Sequence, residues 1–209
     1  MSSFITIEGS DGSGKSTLIG RMESHLRARG VPFKLTREPG GTPVAEEIRD
    51  IILKPNRKLS TLCELLLFEA ARADHVETFI RPALASGQSV LCDRFTHSSL
   101  AYQGIARGLG EDVVKNLNRV ATGGLEPDAV IWLKLDPKIA YDRIESRGGE
   151  KSRLDSEAMA FHLRVFDGFS QLAANDPERF IVLDASRSPE QVFQELLAHP
   201  NWVRHGDLR

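Results

Sequence analysis

Gly9-Ser10-Asp11-Gly12-Ser13-Gly14-Lys15-Ser16 is the stretch that decides the fold. It has the form G-x-x-x-x-G-K-[ST], the phosphate-cradling P-loop. Its glycines let the backbone close into a tight nest with N–H groups pointing inward. Lys15 places a point charge on the β- and γ-phosphates, and Ser16 offers a hydroxyl to Mg²⁺. The helix that follows, entered through Thr17, turns its positive end toward the same anion. A nucleoside triphosphate site over Gly9–Thr17 is therefore expected.

The flanks supply the context the motif needs. Phe4-Ile5-Thr6-Ile7 reads as a buried parallel strand. Leu18, Ile19, Met22 and Leu26 recur at helical spacing up to the stop at Gly30. Further strands are expected at 33–36, 89–93, 129–135 and 180–183. Between them the spacing predicts helices at 43–53, 61–86 (kinked or ending near Pro82), 111–122 and 137–147. Another carries Phe161, Val165, Phe166 and Phe169, and a last one runs from the Ser188-Pro189 cap to Ala198. The tail 199–209 shows no clear pattern. Strands alternating with helices imply an α/β fold: a five-stranded parallel sheet covered on both faces, of the P-loop NTPase type. Ligands bind such sheets at the carboxyl ends of the strands. The expectation is one domain over 1–209, with a charged lid loop at about 148–155.

Bulk composition narrows the function. The chain has 209 residues, 41% hydrophobic and 27% charged, enough for one well-buried core. A net charge of −2 gives no basic field for nucleic acid, so anionic ligands need local partners. Cys63 and Cys92 lie in apolar runs without metal or disulfide spacing, which suggests core thiols in a reducing cytoplasm. The first strand begins too early for a signal peptide, and no apolar run reaches membrane-spanning length.

Arginines crowd the predicted rim: Arg37, Arg49, Arg72, Arg94, Arg143, Arg147 and Arg153. Most surface arginines are solvated charges. Arg94 differs, because it follows a buried strand and the acid Asp93, where a guanidinium can grip a second phosphate bidentately. Asp93 either orients water on Mg²⁺ or simply holds Arg94. Two phosphate sites on one rim suit transfer between nucleotides. A GTPase would need an N-K-x-D motif, and none is present. A lid that closes over phosphates favours a kinase. Its rivals are a kinase for another nucleotide or deoxynucleoside and a P-loop protein that binds ATP without turnover.

The chain resembles the thymidylate kinase family of the bacterial type, from Phe4 to about Ala198. The resemblance rests on the P-loop, Thr36-Arg37-Glu38-Pro39-Gly40-Gly41-Thr42, Leu67-Phe68-Glu69-Ala70-Ala71-Arg72, Asp93-Arg94-Phe95 and Ser98-Ser99-Leu100-Ala101-Tyr102-Gln103-Gly104. It implies phosphorylation of dTMP to dTDP by MgATP in a cytoplasmic homodimer, with neither nucleic acid nor membrane as a partner. By the same resemblance, Phe68 stacks on thymine, Arg72 donates to its edge, and Ser99 and Gln103, beside Ser98, address the base. Tyr102 crowds the sugar 2′ position, and Asp11 binds the 3′-hydroxyl. Arg94, aided by Arg37 or Arg49, holds the dTMP phosphate, and Glu38 lines this pocket. Ser16 and Asp93 are the expected Mg²⁺ residues.

Some members of the family carry an arginine directly after the P-loop acid, where it reaches the transferred phosphoryl group. Gly12 occupies that position here, so the chain resembles the class whose lid supplies the arginine. The lid Gly148-Gly149-Glu150-Lys151-Ser152-Arg153-Leu154-Asp155 reads Arg153-Leu154-Asp155 where the family has Arg-Ile-Glu. Arg153 is the lid residue expected to act on the transferred phosphoryl group, ahead of Arg147 and Lys151. Arg143 and Arg147 are expected on the ATP side.

Overall fold

The computed structural model describes residues 2–55, 57–147 and 152–206. Among them, β1 (Phe4–Glu8), β2 (Phe33–Arg37), β3 (Ser89–Asp93), β4 (Ala129–Lys134) and β5 (Phe180–Asp184) form one sheet. Its order is β2-β3-β1-β4-β5 and every pairing is parallel. Ile7 stands opposite Asp93 on one side and Ile131 on the other. The strands therefore end together, and the segments after β1, β2, β3 and β5 share one rim, as the sequence pattern requires.

Alternation along each strand sends side chains into two cores. Ile5, Ile7, Ile131, Leu133, Ile181 and Leu183 pack with α1 (Lys15–Ala28), α9 (Pro189–Ala198) and α10 (Pro200–Gly206). On the other face lie Phe4, Val90, Val130, Trp132 and Phe180. These meet α3 (Thr61–His75), the segment Leu100–Ala106 and α8 (Met159–Asn175). Each fully buried Ile or Leu contributes roughly 1.5–3 kcal/mol, and the inner strands β1, β3 and β4 are buried almost throughout because both faces are covered, while the edge strand β2 has no buried residue. Glu8 is the exception, a carboxylate in a strand buried throughout.

Several boundaries differ from expectation for physical reasons. The helix expected over 61–86 is continuous, but Val76–Ile80 is a widened π-type turn between α3 and α4 (Arg81–Ala85). Pro82 lacks the N–H that would reach back one turn, so it stands in the first turn of α4. A second widened turn, Leu100–Ala106, follows the short α5 (Thr96–Ser99). Cys63 corrects the expectation of two core thiols: Cys92 is buried, but Cys63 is exposed. The tail forms α10, whose Trp202 is 3% exposed in the core of α1 and α9. α2 (Pro43–Leu53), α6 (Glu111–Thr122) and α7 (Pro137–Arg147) run as expected. Thr42 caps α2, and the Asp136 side chain accepts from the Lys138 N–H at the start of α7. Of the expected lid, residues 148–151 lie outside the described residues, Lys151 among them. No helix among the described residues is long and apolar enough to cross a membrane.

Candidate active site

The P-loop joins β1 to α1. Gly12 has φ +80°, and a Cβ there would stand 2.6 Å from the Ala140 carbonyl oxygen in α7. Only glycine fits, so the arginine that other P-loops place here has no room. The loop closes on Lys15, whose Nζ donates to the Gly9 and Ser10 carbonyls at 3.0 and 3.3 Å and to Asp11 Oδ1 at 3.3 Å. Ser16 and Thr17 are exposed in the first turn of α1. Ser13 Oγ is buried without a hydrogen-bond partner.

Arg94 faces this loop from the end of β3. Among the described residues it is the non-glycine one with positive φ, +71°, and its N–H bonds the Ile7 carbonyl at 2.9 Å. This uncommon backbone turns the guanidinium back over the P-loop. Nη2 donates to Asp11 Oδ1 at 2.9 Å, and Nη1 to Ser98 Oγ at 3.3 Å. Tyr102 lies beneath, its ring 5.4 Å from Cζ. One oxygen of Asp11 thus bridges the two cations. Desolvation works against the charge on Asp11, but Arg94 and Lys15 hold its carboxyl well below the usual range.

Arg94 pairs with Asp11, which corrects the reading of Asp93 as its holder. Asp93 forms no ion pair among the described residues, and its buried Oδ1 has no hydrogen-bond partner. Such an orphaned carboxylate oxygen suits a hydrated cation. No group of three His, Cys, Asp or Glu side chains that could hold a metal occurs among the described residues. That donor set fits Mg²⁺, which keeps most of its water and leans on one or two carboxylates plus substrate phosphates.

The floor beneath Arg94 is Glu8. Its Oε1 accepts from the Phe95 N–H at 2.9 Å and its Oε2 from Ser98 Oγ at 2.5 Å. Burial pushes this carboxyl up to about 7, against the opposing pull of Ser98, Arg94 and Phe95.

Beside the P-loop a cavity opens between the strand ends, α3 and the segment after β3. Its lining includes Asp11, Arg37, Glu38, Arg49, Phe68, Arg72, Asp93, Arg94, Ser98, Ser99, Tyr102 and Gln103. The acceptor residues expected from sequence are therefore gathered in one place. Phe68 is half-buried and faces the cavity, not the core. Burial pushes the Tyr102 hydroxyl up to about 12, so it stays protonated.

Arg72 is more constrained than a free donor. It is fully buried, with Nε on Glu38 at 2.8 Å and Nη1 on Glu69, Asn118 and Ser99 at 2.7, 2.8 and 3.1 Å. Nη2 makes no hydrogen bond among the described residues and is left for the cavity. Glu38 is fixed a second time by His75 Nδ1 at 3.0 Å. Arg49 Nη1 donates to the Pro39 carbonyl at 2.7 Å, while Arg37 pairs with Glu46. Arg49 and Arg37 flank the loop after β2 and line the cavity with Ser10 and Asp11.

One expected ATP-side residue takes another position. Arg143 braces the rim from α7, donating to the Gly12 carbonyl at 3.3 Å and the Ala185 carbonyl at 3.2 Å. It supports the P-loop backbone from behind. The Arg147 side chain lies outside the described residues. Arg153, expected over the phosphates, is 11% exposed and pairs with Glu64 at 2.7 Å. Its Nε donates to the Ile52 carbonyl at 3.0 Å. This corrects the expectation for the lid: a nearby buried carboxylate and the Ile52 carbonyl of α2 claim the guanidinium. Ser152, Leu154 and Asp155 reach the cavity instead. Burial and the adjacent Asp11 carboxyl raise Asp155. Sequence reasoning missed Glu8, Glu64, His75 and Asp155; only Glu8 carried a signal, a charge ending a buried strand.

Comparison with known proteins agrees with this geometry. The family model described as thymidylate kinase matches residues 7–196. The chain is 48% identical over 197 residues to a thymidylate kinase from Symbiobacterium thermophilum, covering 94% of this chain and 91% of that one. A thymidylate kinase from Deinococcus radiodurans is 44% identical, with 93% and 94% covered. Among solved structures, the thymidylate kinase from Ehrlichia chaffeensis superimposes with a TM-score of 0.75 at 33% identity, covering 94% of this chain and 97% of that one.

Proposed function

The chain belongs to the thymidylate kinase family, and we infer that it phosphorylates dTMP to dTDP with ATP through the cavity and P-loop described above. One observation carries the assignment of roles. Lys15 Nζ and Arg94 Nη2 contact the same Asp11 oxygen, at 3.3 and 2.9 Å. Two cations of the kind that bind phosphate, held within reach of one atom, are what a donor and an acceptor phosphate need.

An acceptor phosphate oxygen is already nucleophilic, so no strong base is required. The barrier is the approach of two polyanions, lowered by alignment and by neutralising charge. Gly9–Thr17 hold the triphosphate, with Lys15 on its terminal phosphates. Arg94 holds the dTMP phosphate, with Arg49 and Arg37 behind it. When substrates enter, phosphates replace Asp11 as the partner of both cations, freeing its carboxylate for the sugar 3′-hydroxyl. Phe68 stacks on thymine, Arg72 donates to its edge through Nη2, and Ser99 and Gln103 complete the base site. Tyr102 closes the sugar side. Ser16 and Asp93 would hold Mg²⁺, which when bound would supply positive charge beside the phosphates.

The lid excludes water. Because Arg153 is committed to Glu64, Arg147 or Lys151 is left to meet the moving phosphoryl group, with Arg143 steadying the loop. The protein works in the cytoplasm as a homodimer. Leu62 and Leu66 of α3 are 50% and 46% exposed, and Val44 of α2 and Val120 of α6 extend the apolar surface. Helices α2 and α6 both pack against α3, so these residues crown a single layer. The test is a coupled ADP-release assay with MgATP across nucleoside monophosphates: turnover confined to dTMP and its close analogues supports the reading, and turnover only with a purine monophosphate refutes it.

A further inference from the structure

Glu64 is a buried carboxylate that the reaction does not use. It lies in the first turn of α3 with its side chain 1% exposed. Three hydrogen bonds from two side chains converge on it, and a third side chain adds an ion pair. Gln103 Nε2 donates to Oε1 at 2.7 Å, and Arg107 donates to both oxygens at 3.3 and 3.2 Å. Arg153 Nη2 approaches Oε2 at 2.7 Å. Burial opposes the charge, but Gln103, Arg107 and Arg153 lower the carboxyl, so it is ionised.

An ionised carboxylate only accepts hydrogen bonds. The Gln103 amide must therefore turn its NH₂ to Glu64 and cannot flip. Its carbonyl Oε1 accepts no hydrogen bond among the described residues, and the residue lines the cavity. The cavity thus meets its ligand here with a fixed acceptor, while Arg72 offers a donor nearby. A pyrimidine with an N3–H and a 4-carbonyl matches that polarity. Cytosine does not, because its N3 lone pair would face Oε1 and its 4-amino group would face the guanidinium. An unmatched buried polar pair is costly, which is how such sites discriminate.

We propose that Glu64 is a positioning residue that sets base specificity by locking the Gln103 amide in one orientation. The inference rests on the dTMP reading above. It also explains why Arg107 and Arg153 crowd this point, since they keep a desolvated carboxylate charged. The lid residue Arg153 thereby helps hold the base site in its reading state.

The test is Glu64→Gln, which lets the two amides pair in either orientation. kcat/KM is measured for dTMP, dUMP and dCMP. The dTMP/dCMP ratio should fall by about tenfold or more, the size of one unsatisfied polar contact. The dTMP/dUMP ratio should hold within about twofold, because both bases show the same edge. A purely structural role would lower all three rates together and leave both ratios unchanged, which overturns the proposal. If Glu64→Gln does not fold, Glu64→Gln with Arg153→Gln removes one stranded guanidinium, and Arg107 keeps Glu157 at 2.6 Å. Arg153→Gln alone is the control for the second change. A wild-type enzyme inactive on dTMP would instead refute the functional reading, so the two failures are distinct.

Discussion

Replacing Glu8 by Gln should change how stability depends on pH. In the native protein this side chain is completely buried, accepts two hydrogen bonds and titrates at about 7, against 4.5 for an ordinary glutamate. Between those values the native state keeps a proton that the unfolded chain has released. Native protein therefore binds more protons than unfolded protein, and stability falls as pH rises through 4.5 to 7. At about 1.4 kcal/mol per pH unit, the gap corresponds to roughly 3 kcal/mol lost by pH 8. Glutamine has the same shape and no charge: its carbonyl can accept from the Phe95 N–H, and its amide can donate to Ser98 Oγ. The variant should lack this decline. Urea unfolding at pH 5 and pH 8, followed by the fluorescence of the buried Trp132 and Trp202, measures the difference. Other titrating groups are common to both proteins and cancel in the comparison. The variant should gain about 2.5 kcal/mol on wild type between the two pH values, since a small part of the loss already falls below pH 5. Parallel stability profiles would refute the reasoning.

Three further substitutions probe the site. Lys15→Ala should abolish transfer while leaving the circular dichroism spectrum and melting temperature near wild type; normal turnover would remove the P-loop from the mechanism. Phe68→Ala should weaken dTMP binding by about 1–3 kcal/mol, as for other aromatic–base stacks, and calorimetry would contradict this by finding unchanged affinity with a lower melting temperature. Arg153→Ala should lower kcat by less than about tenfold, because its guanidinium serves Glu64, whereas a loss of about 10³-fold, the low end for an arginine finger, would put it back on the phosphoryl group.

The fold was legible because its inner strands β1, β3 and β4 are buried on both faces and are mostly apolar. The P-loop fixed where β1 ends and α1 begins. What stayed hidden depends on contacts between distant segments. Leu65, Leu66 and Leu67 in succession obscure the helical phase of α3, so the exposure of Cys63 could not be read from spacing. A single Trp202 gives α10 no periodicity. The widened turns at Val76–Ile80 and Leu100–Ala106 leave no local signature beyond Pro82. In the site, Asp11, Glu38 and Arg94 were found because they follow strands, and Phe68, Ser99, Tyr102 and Gln103 through the family's motifs. Their partners were not, since Glu8, Glu64 and His75 act through residues 87, 39 and 37 positions away. Arg153 was misplaced for the same reason: its carboxylate lies in α3, far along the chain.

The most direct test of the central claim is a coupled ADP-release assay run with MgATP and each nucleoside monophosphate in turn. The account predicts strong turnover with dTMP, weaker turnover with dUMP, and little with dCMP or the purine monophosphates. Absence of turnover with dTMP beside clear turnover with another monophosphate would contradict it.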